Sequence, residues 1–309
     1  MRKFCEENER MKRFYLAYLR QAKGQDEKSL DKVAAAILKF EESTNYKPFK
    51  KFHIDQAGKF KAYLDRARNP VTGKPLSHST TDAALRTVKA FFHWLAGQSG
   101  YKSRISYSDT EYFNNNAKNA RVAHAQRDIP YPSMQQAAHA FQAMPEGSEL
   151  ERRDKALFAF LMLTGARDGA VASFRLKHIN LFDGSVFQDA RQVKTKNAKT
   201  FTTTFFQVGV MYLDCFENWV KFLRDEKLFG PEDALFPKPL QELKEGQFVF
   251  EKLSRETYSS PAKFISIIRH AFAVVQLPEY TPHSFRKTLV HLMNERCKTL
   301  EGYCQKKMA

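Results

Sequence analysis

Leu30, Val33, Ile37 and Phe40 recur at three- and four-residue steps, the spacing that gathers apolar side chains on one face of a helix. That helix is predicted to open at Ser29 and to close near Ser43, Thr44 and Asn45. A second helical stretch covers residues 55–68 and runs into the turn-rich series Asn69, Pro70, Val71, Thr72, Gly73. Ser79, followed three residues later by Asp82, reads as a capping signal for a helix over residues 83–95. Leu85, Val88, Phe92 and Leu95 form its core stripe, with Arg86 and Lys89 on the opposite side.

From residue 114 to residue 132 this periodicity stops. The stretch is polar and basic and ends at Pro130 and Pro132, which predicts an exposed linker. Beyond it the pattern is mixed. Residues 157–163 are the apolar end of a helix closed by Thr164 and Gly165. Residues 179–187 place an Asp183-Gly184 turn between apolar residues, as in a short hairpin. Residues 199–208 are β-branched and aromatic and read as a strand. Helices are predicted again over residues 211–228, with Phe216, Trp219, Val220 and Leu223 inward, and over residues 262–275, with Phe264, Ile267, Ile268 and Phe272 inward. The pattern therefore describes an all-helical front domain and a helical back domain with a small antiparallel sheet.

Composition narrows the partners. The 309 residues are 43% hydrophobic and 27% charged, which argues against both a disordered chain and a membrane protein. No apolar run approaches the ~20 residues of a spanning helix, and the charged start lacks the apolar stretch of a signal peptide. Cys5, Cys215, Cys297 and Cys304 form no CxxC pair, so a zinc site or disulfide framework is not expected and a reducing cytoplasm fits. Fifty Lys and Arg against 34 Asp and Glu leave a formal charge of +16. Such an excess points to a polyanion, nucleic acid before membrane surface. A basic protein that binds RNA or heparin would need only this charge.

Three basic stations then line up in the back half. Gly165 allows a sharp turn after the apolar helix, and Arg167 projects from it. Lys194, Lys196 and Lys199 crowd a Lys-rich hairpin over residues 193–200 that leads into the predicted strand. His283 and Arg286 stand three apart on one helical face, behind Thr281 as cap and Pro282 as first helical residue, where free backbone N–H groups gather. Each station is common alone. Their order and spacing carry the signal.

Together Thr164-Gly165-Ala166-Arg167, the lysine segment and His283-Ser284-Phe285-Arg286 resemble the tyrosine recombinase (phage integrase) family, over roughly residues 28–300. The stretches 180–184 and 234–237 are also similar to segments of that family. The resemblance implies a mainly α chain: a basic helical extension over residues 1–27, a helical core-binding (SAM-like) domain over 28–113, a linker over 114–132, and a mostly helical catalytic domain with a small antiparallel sheet over 133–309. It implies site-specific recombination or integration on double-stranded DNA, homo-oligomers on paired sites, a bacterial, DNA-associated, cytoplasmic setting, and no metal or cofactor. In that role Arg167 and Arg286 hold the non-bridging oxygens of the scissile phosphate with forked donors. His283 hydrogen-bonds the same phosphate or manages a proton. Lys196 protonates the leaving 5′-oxygen, with Lys194 as the alternate acid, and Arg86, Lys89, Lys194 and Lys199 meet the DNA. No GxxxxGK loop and no carboxylate cluster for two metals is found in the sequence.

The sequence departs from the family twice. Three residues after Arg167, where many relatives carry an acid, stands Ala170, with Asp168 as a neighbour that could compensate. After Arg286 the family continues to a Gly-His or Gly-Trp station and a nucleophilic tyrosine on a late helix. Here 23 residues follow Arg286 without that station, and Tyr303 comes too early to match the nucleophile. The expectation is a C-terminally truncated member that binds duplex DNA but is inactive in cis. The alternative function is thus a non-catalytic DNA-binding remnant or regulator, unless another subunit donates the tyrosine.

Overall fold

The computed structural model describes the backbone of residues 4–125, 129–195, 199–244 and 247–308, and the side chains within these except at 244, 247 and 298–308. Helix makes up 56% of the chain and strand 7%, so the architecture is mainly α, as the periodicity predicted. Two compact units divide it, residues 1–127 and 128–309.

The first unit is helical throughout: α1 (Glu6–Gln21), α2 (Glu27–Ser43), α3 (Ile54–Arg66), α4 (His78–Ala96) and α5 (Ala117–His124). Its core is aromatic. Phe40, Phe49, Phe60, Phe91, Phe92 and Phe113 are each no more than 1% exposed, and Phe40 meets the Phe92 ring edge-on at 4.9 Å. One buried polar group is fully satisfied there. The Asn8 amide donates to Glu41 (3.1 Å) and to the Lys47 carbonyl (3.0 Å) and accepts from the Phe49 N–H (2.8 Å).

Three expectations for this unit change. Met11, Tyr15 and Leu19 of α1 are buried in the core, so residues 1–27 are not a mere extension. The cap of α4 is Ser77, whose hydroxyl accepts from the Thr80 N–H, and Ser79 and Asp82 lie inside the helix. The stretch predicted as a linker contains α5, which belongs to the first unit. It buries no residue, and Ser79 Oγ donating to the Ala123 carbonyl (2.9 Å) ties it to α4.

The second unit contains α6 (Met134–Gln142), α7 (Glu149–Thr164) and α8 (Asp168–Val171), then β1 (Ile179–Asn180), β2 (Ser185–Gln188) and β3 (Phe201–Thr204). After these come α9 (Val210–Lys221), which passes into a π-turn over Phe222–Glu226, then β4 (Glu242–Lys244), β5 (Gln247–Val249), α10 (Ala262–Val274) and α11 (Pro282–Met308). The strands β1-β2-β3 form one antiparallel sheet, with Ile179 opposite Val186 across the Asp183-Gly184 turn. β4 and β5 make a separate hairpin that the hydrophobic pattern did not predict. β3 is shorter than the predicted strand because its exit bonds elsewhere: the Phe205 N–H goes to the Gly184 carbonyl and the Phe206 N–H to the Leu163 carbonyl, both at 2.7 Å. The lysine segment lies in the connection between the antiparallel partners β2 and β3, and its residues 196–198 lie outside the described ones.

α7 is the central element. Every residue from Ala156 to Thr164 is buried, so the end of the helix is held from all sides. Near its start Arg153, 1% exposed, pairs with Asp154 (2.6 Å) and donates to the Pro237 carbonyl (3.0 Å) and Tyr258 Oη (3.1 Å). Among the described residues no helix is long and apolar enough to cross a membrane.

Candidate functional site

The site is built at the C-terminal end of α7. Gly165 stops the helix in the left-handed conformation (φ 55°, ψ 27°), its N–H bonded to the Leu161 carbonyl at 2.8 Å. Thr164 fixes the corner from the other side: its hydroxyl donates to the Phe160 carbonyl (2.7 Å) and accepts from the Ala166 N–H (3.1 Å). Arg167 follows with extended backbone (φ −74°, ψ 142°) at the N-cap of α8, its side chain exposed.

The other half comes from the start of α11. Pro282 is its first residue, and the Ser284 N–H bonds the Thr281 carbonyl at 2.8 Å. Ser284 and Phe285 turn inward, the Phe285 ring meeting Phe158 of α7 edge-on at 4.8 Å. His283 and Arg286, three residues apart, are therefore left on the outer side, His283 exposed and Arg286 half-buried. The Arg286 guanidinium donates to the Gly165 carbonyl, which locks it to the corner that presents Arg167. Burial, and then the nearby charge of Arg167, push the Arg286 guanidinium below its ordinary pKa. Among the described residues neither arginine has a carboxylate partner. Two adjacent unneutralised cations on a held corner make a place for an anion. Beside them lies a hollow of about 220 Å³ lined by Gly165, Phe206, Arg286, Leu289, Val290 and Met293, among others.

Among the described residues no carboxylate supports Arg167. Ala170 is buried at 2% exposure, and the Asp168 carboxylate accepts from the Gly169 N–H (2.9 Å) and does not pair with Arg167.

The lysine segment approaches the same corner through its backbone. The Lys194 N–H donates to Ser173 Oγ (3.0 Å), and that hydroxyl in turn donates to the Ala170 carbonyl (2.8 Å). A side chain at Gly169 would reach 4.0 Å from the Lys194 carbonyl. The Lys194 ammonium donates to the Ser259 carbonyl at 3.4 Å. Lys196 lies outside the described residues, and Lys199 is exposed. Tyr303 falls where side chains lie outside the described ones. In the first unit both cations assigned to DNA have acidic neighbours: Arg86 Nε is 2.9 Å from Asp82, and Lys89 Nζ is 2.8 Å from Glu111. Ser173 was not singled out in the sequence, because its bond to Lys194 spans 21 residues and leaves no spacing signal.

The base of the lysine segment rests on a buried histidine. His178, 3% exposed, accepts the Arg175 N–H at Nδ1 (2.9 Å), so Nε2 carries the proton and donates to Gln192 Oε1 (3.2 Å). Burial holds its pKa below the ordinary 6.5. As pH falls through 6.5 the unfolded chain takes up the proton first, so stability present above that pH is lost toward the folded pKa. The second unit should melt lower at pH 5.5 than at pH 7.5, with a slope of up to about 1.4 kcal/mol per pH unit from this group. His178→Gln should flatten that part of the dependence, as thermal melts across the pH range would report.

No protein-family model matches the sequence, and no curated protein matches it. Solved structures do match. A lambda integrase dimer bound to a COC′ core site is 14% identical with a TM-score of 0.61, over 93% of this chain and 87% of that one. The Tn1549 transposon integrase in complex with transposon right end DNA is 14% identical with a TM-score of 0.60, over 92% and 87%. The XerH site-specific recombinase bound to palindromic difH substrate is 14% identical with a TM-score of 0.56, over 87% and 70%. The chain has the fold of the tyrosine recombinases and integrases.

Proposed function

We propose that this chain binds duplex DNA as a tyrosine recombinase-like protein and that Arg167 and Arg286 hold one backbone phosphate. The observation that carries this reading is the pair itself. Two arginines far apart in sequence meet at one corner, and neither is neutralised by an acid among the described residues. The net charge of +16 and the fold shared with integrases solved on DNA support it. In strand breakage charge builds on the non-bridging oxygens of a five-coordinate phosphorus, and forked donors already in place stabilise it. His283 would bond the same phosphate, and Lys194 or Lys196 would protonate the leaving 5′-oxygen. The resemblance adds site-specific recombination or integration as the reaction and assembly of several copies on paired sites.

A second reading is favoured by one observation: Asp168 is bonded to the Gly169 N–H and Ala170 has no carboxylate, so no acid among the described residues pairs with Arg167. On that reading the protein binds DNA without breaking it. A suicide substrate, which traps the covalent intermediate, decides between the two. An adduct lost in Tyr303→Phe would make Tyr303 the nucleophile and overturn the non-catalytic reading. An adduct that survives Tyr303→Phe would make the chain catalytic through another group. Duplex binding with a steep fall in log affinity against log salt, and no adduct, would support the second reading. Heparin competing as well as duplex DNA would sink both.

A further inference from the structure

The helix that carries His283 and Arg286 also holds the chain segment that enters the second unit. Residues 129–132 lie along the first turns of α11 and lead directly into Ser133, the N-cap of α6. Three contacts fasten them. The Thr288 hydroxyl, in a residue 3% exposed, donates to the Pro132 carbonyl at 2.6 Å. Its other acceptor, the Ser284 carbonyl, is 3.4 Å away, and a hydroxyl has one proton to give, so the shorter bond takes it. Lys287 Nζ donates to the Ile129 carbonyl at 3.2 Å. The Tyr131 ring stacks on the His291 ring, centroids 4.5 Å apart and planes within 10°.

The α11 side chains among these, Lys287, Thr288 and His291, all follow Arg286 within five residues. Thr288 is two residues beyond it and faces inward, while Arg286 reaches the Gly165 carbonyl on the same stretch of helix. Ser133 and Gln136 close a capping box at the other end of the segment, so its position relative to α6 is fixed as well. α11 is thus held between the α7 corner on one side and a backbone strap on the other.

We infer that residues 129–132 are a strap that positions Arg286, with Thr288 and Tyr131 as its positioning residues. Neither touches the phosphate. Their effect on DNA passes through the placement of α11 against Gly165. The inference rests on the proposed phosphate contact of Arg286 and adds the group that sets its geometry. Loosening the strap leaves the guanidinium present but no longer held where it meets the anion.

A double-mutant cycle on duplex affinity tests this with the full chain, using Thr288→Val, Arg286→Ala and the pair. Arg286→Ala alone should weaken binding by about tenfold, the scale of one hydrogen bond to a charged group. In the Thr288→Val background the same change should cost less than about threefold, because the contact is already largely lost. Thr288→Ser keeps the hydroxyl and should restore the full Arg286 effect, which a purely structural loss of stability would not predict. If Thr288→Val fails to fold, as melting would reveal, Tyr131→Ala takes its place, with Tyr131→Phe as the variant that keeps the stack. Losses that simply multiply would overturn the strap alone. An Arg286→Ala protein that binds DNA as tightly as the native chain would overturn the strap and the phosphate contact beneath it.

Discussion

Arg286→Ala should leave the protein folded while removing most of what it does with DNA. Burial and the charge of Arg167 both disfavour the charged guanidinium, so its removal relieves a cost as well as breaking the bond to the Gly165 carbonyl. The melting temperature should therefore move by only a few degrees, since the two effects oppose each other. Binding should fall instead, and the slope of log affinity against log salt should become shallower by about 1, as for one lost phosphate contact. Where the chain breaks strands, the rate should drop by a factor on the order of 10²–10³, the usual cost of one donor aimed at developing charge. Arg286→Lys keeps the charge and loses the fork, which under the proposed function reaches a phosphate while bonding the Gly165 carbonyl. It should retain the salt slope and still lose most of the rate. A melting temperature that collapses with either variant would make Arg286 a structural residue and remove the case for a phosphate site.

The parts of the fold that were legible in the sequence are those where one face of an element is buried. α2, α9 and α10 showed their apolar stripes because Phe40, Phe216 and Ile268 each recur with buried neighbours at helical spacing. α5 buries nothing, so residues 117–124 carry no stripe and read as a linker. The series Met11, Tyr15, Leu19 is periodic, but Glu and Arg dominate around it and hide its role in the core. The predicted cap at Ser79 missed by two residues, because Ser77 has the same chemistry and the choice between them depends on where the preceding turn ends. The site divides in the same way. The corner at Gly165 follows from a glycine after a continuous apolar run. The approach of Arg286 to that corner is a contact between distant residues, and the sequence reached it only through resemblance to a known family. Ser173 under Lys194 and Thr288 under Pro132 were not legible at all. In each, a hydroxyl meets a main-chain group, and a main chain has no residue identity from which to read the pairing.

Gly165→Ala should disable the same site without replacing a charged residue. The position lies at φ 55°, where an L side chain costs ~1–2 kcal/mol against glycine. The added methyl would also stand 3.0 Å from Leu289 Cδ1 and 3.7 Å from Arg286 Cγ, both on α11. Leu289 is itself only 2% exposed and has little room to retreat, so part of the strain falls on the helix. A total loss of about 2–3 kcal/mol would lower the melting temperature of a unit this size by roughly 5–10 °C. The larger effect should be on DNA. The share of the strain that moves α11 away from the corner draws the Arg286 guanidinium off the Gly165 carbonyl and away from Arg167. Duplex affinity should then fall as far as in Arg286→Ala, about tenfold, even below the melting range. Adding Arg286→Ala to Gly165→Ala should cost little more, because both changes remove one arrangement. Native affinity in a Gly165→Ala protein that melts lower would mean that the glycine serves the fold alone, and that the corner does not place the arginine pair.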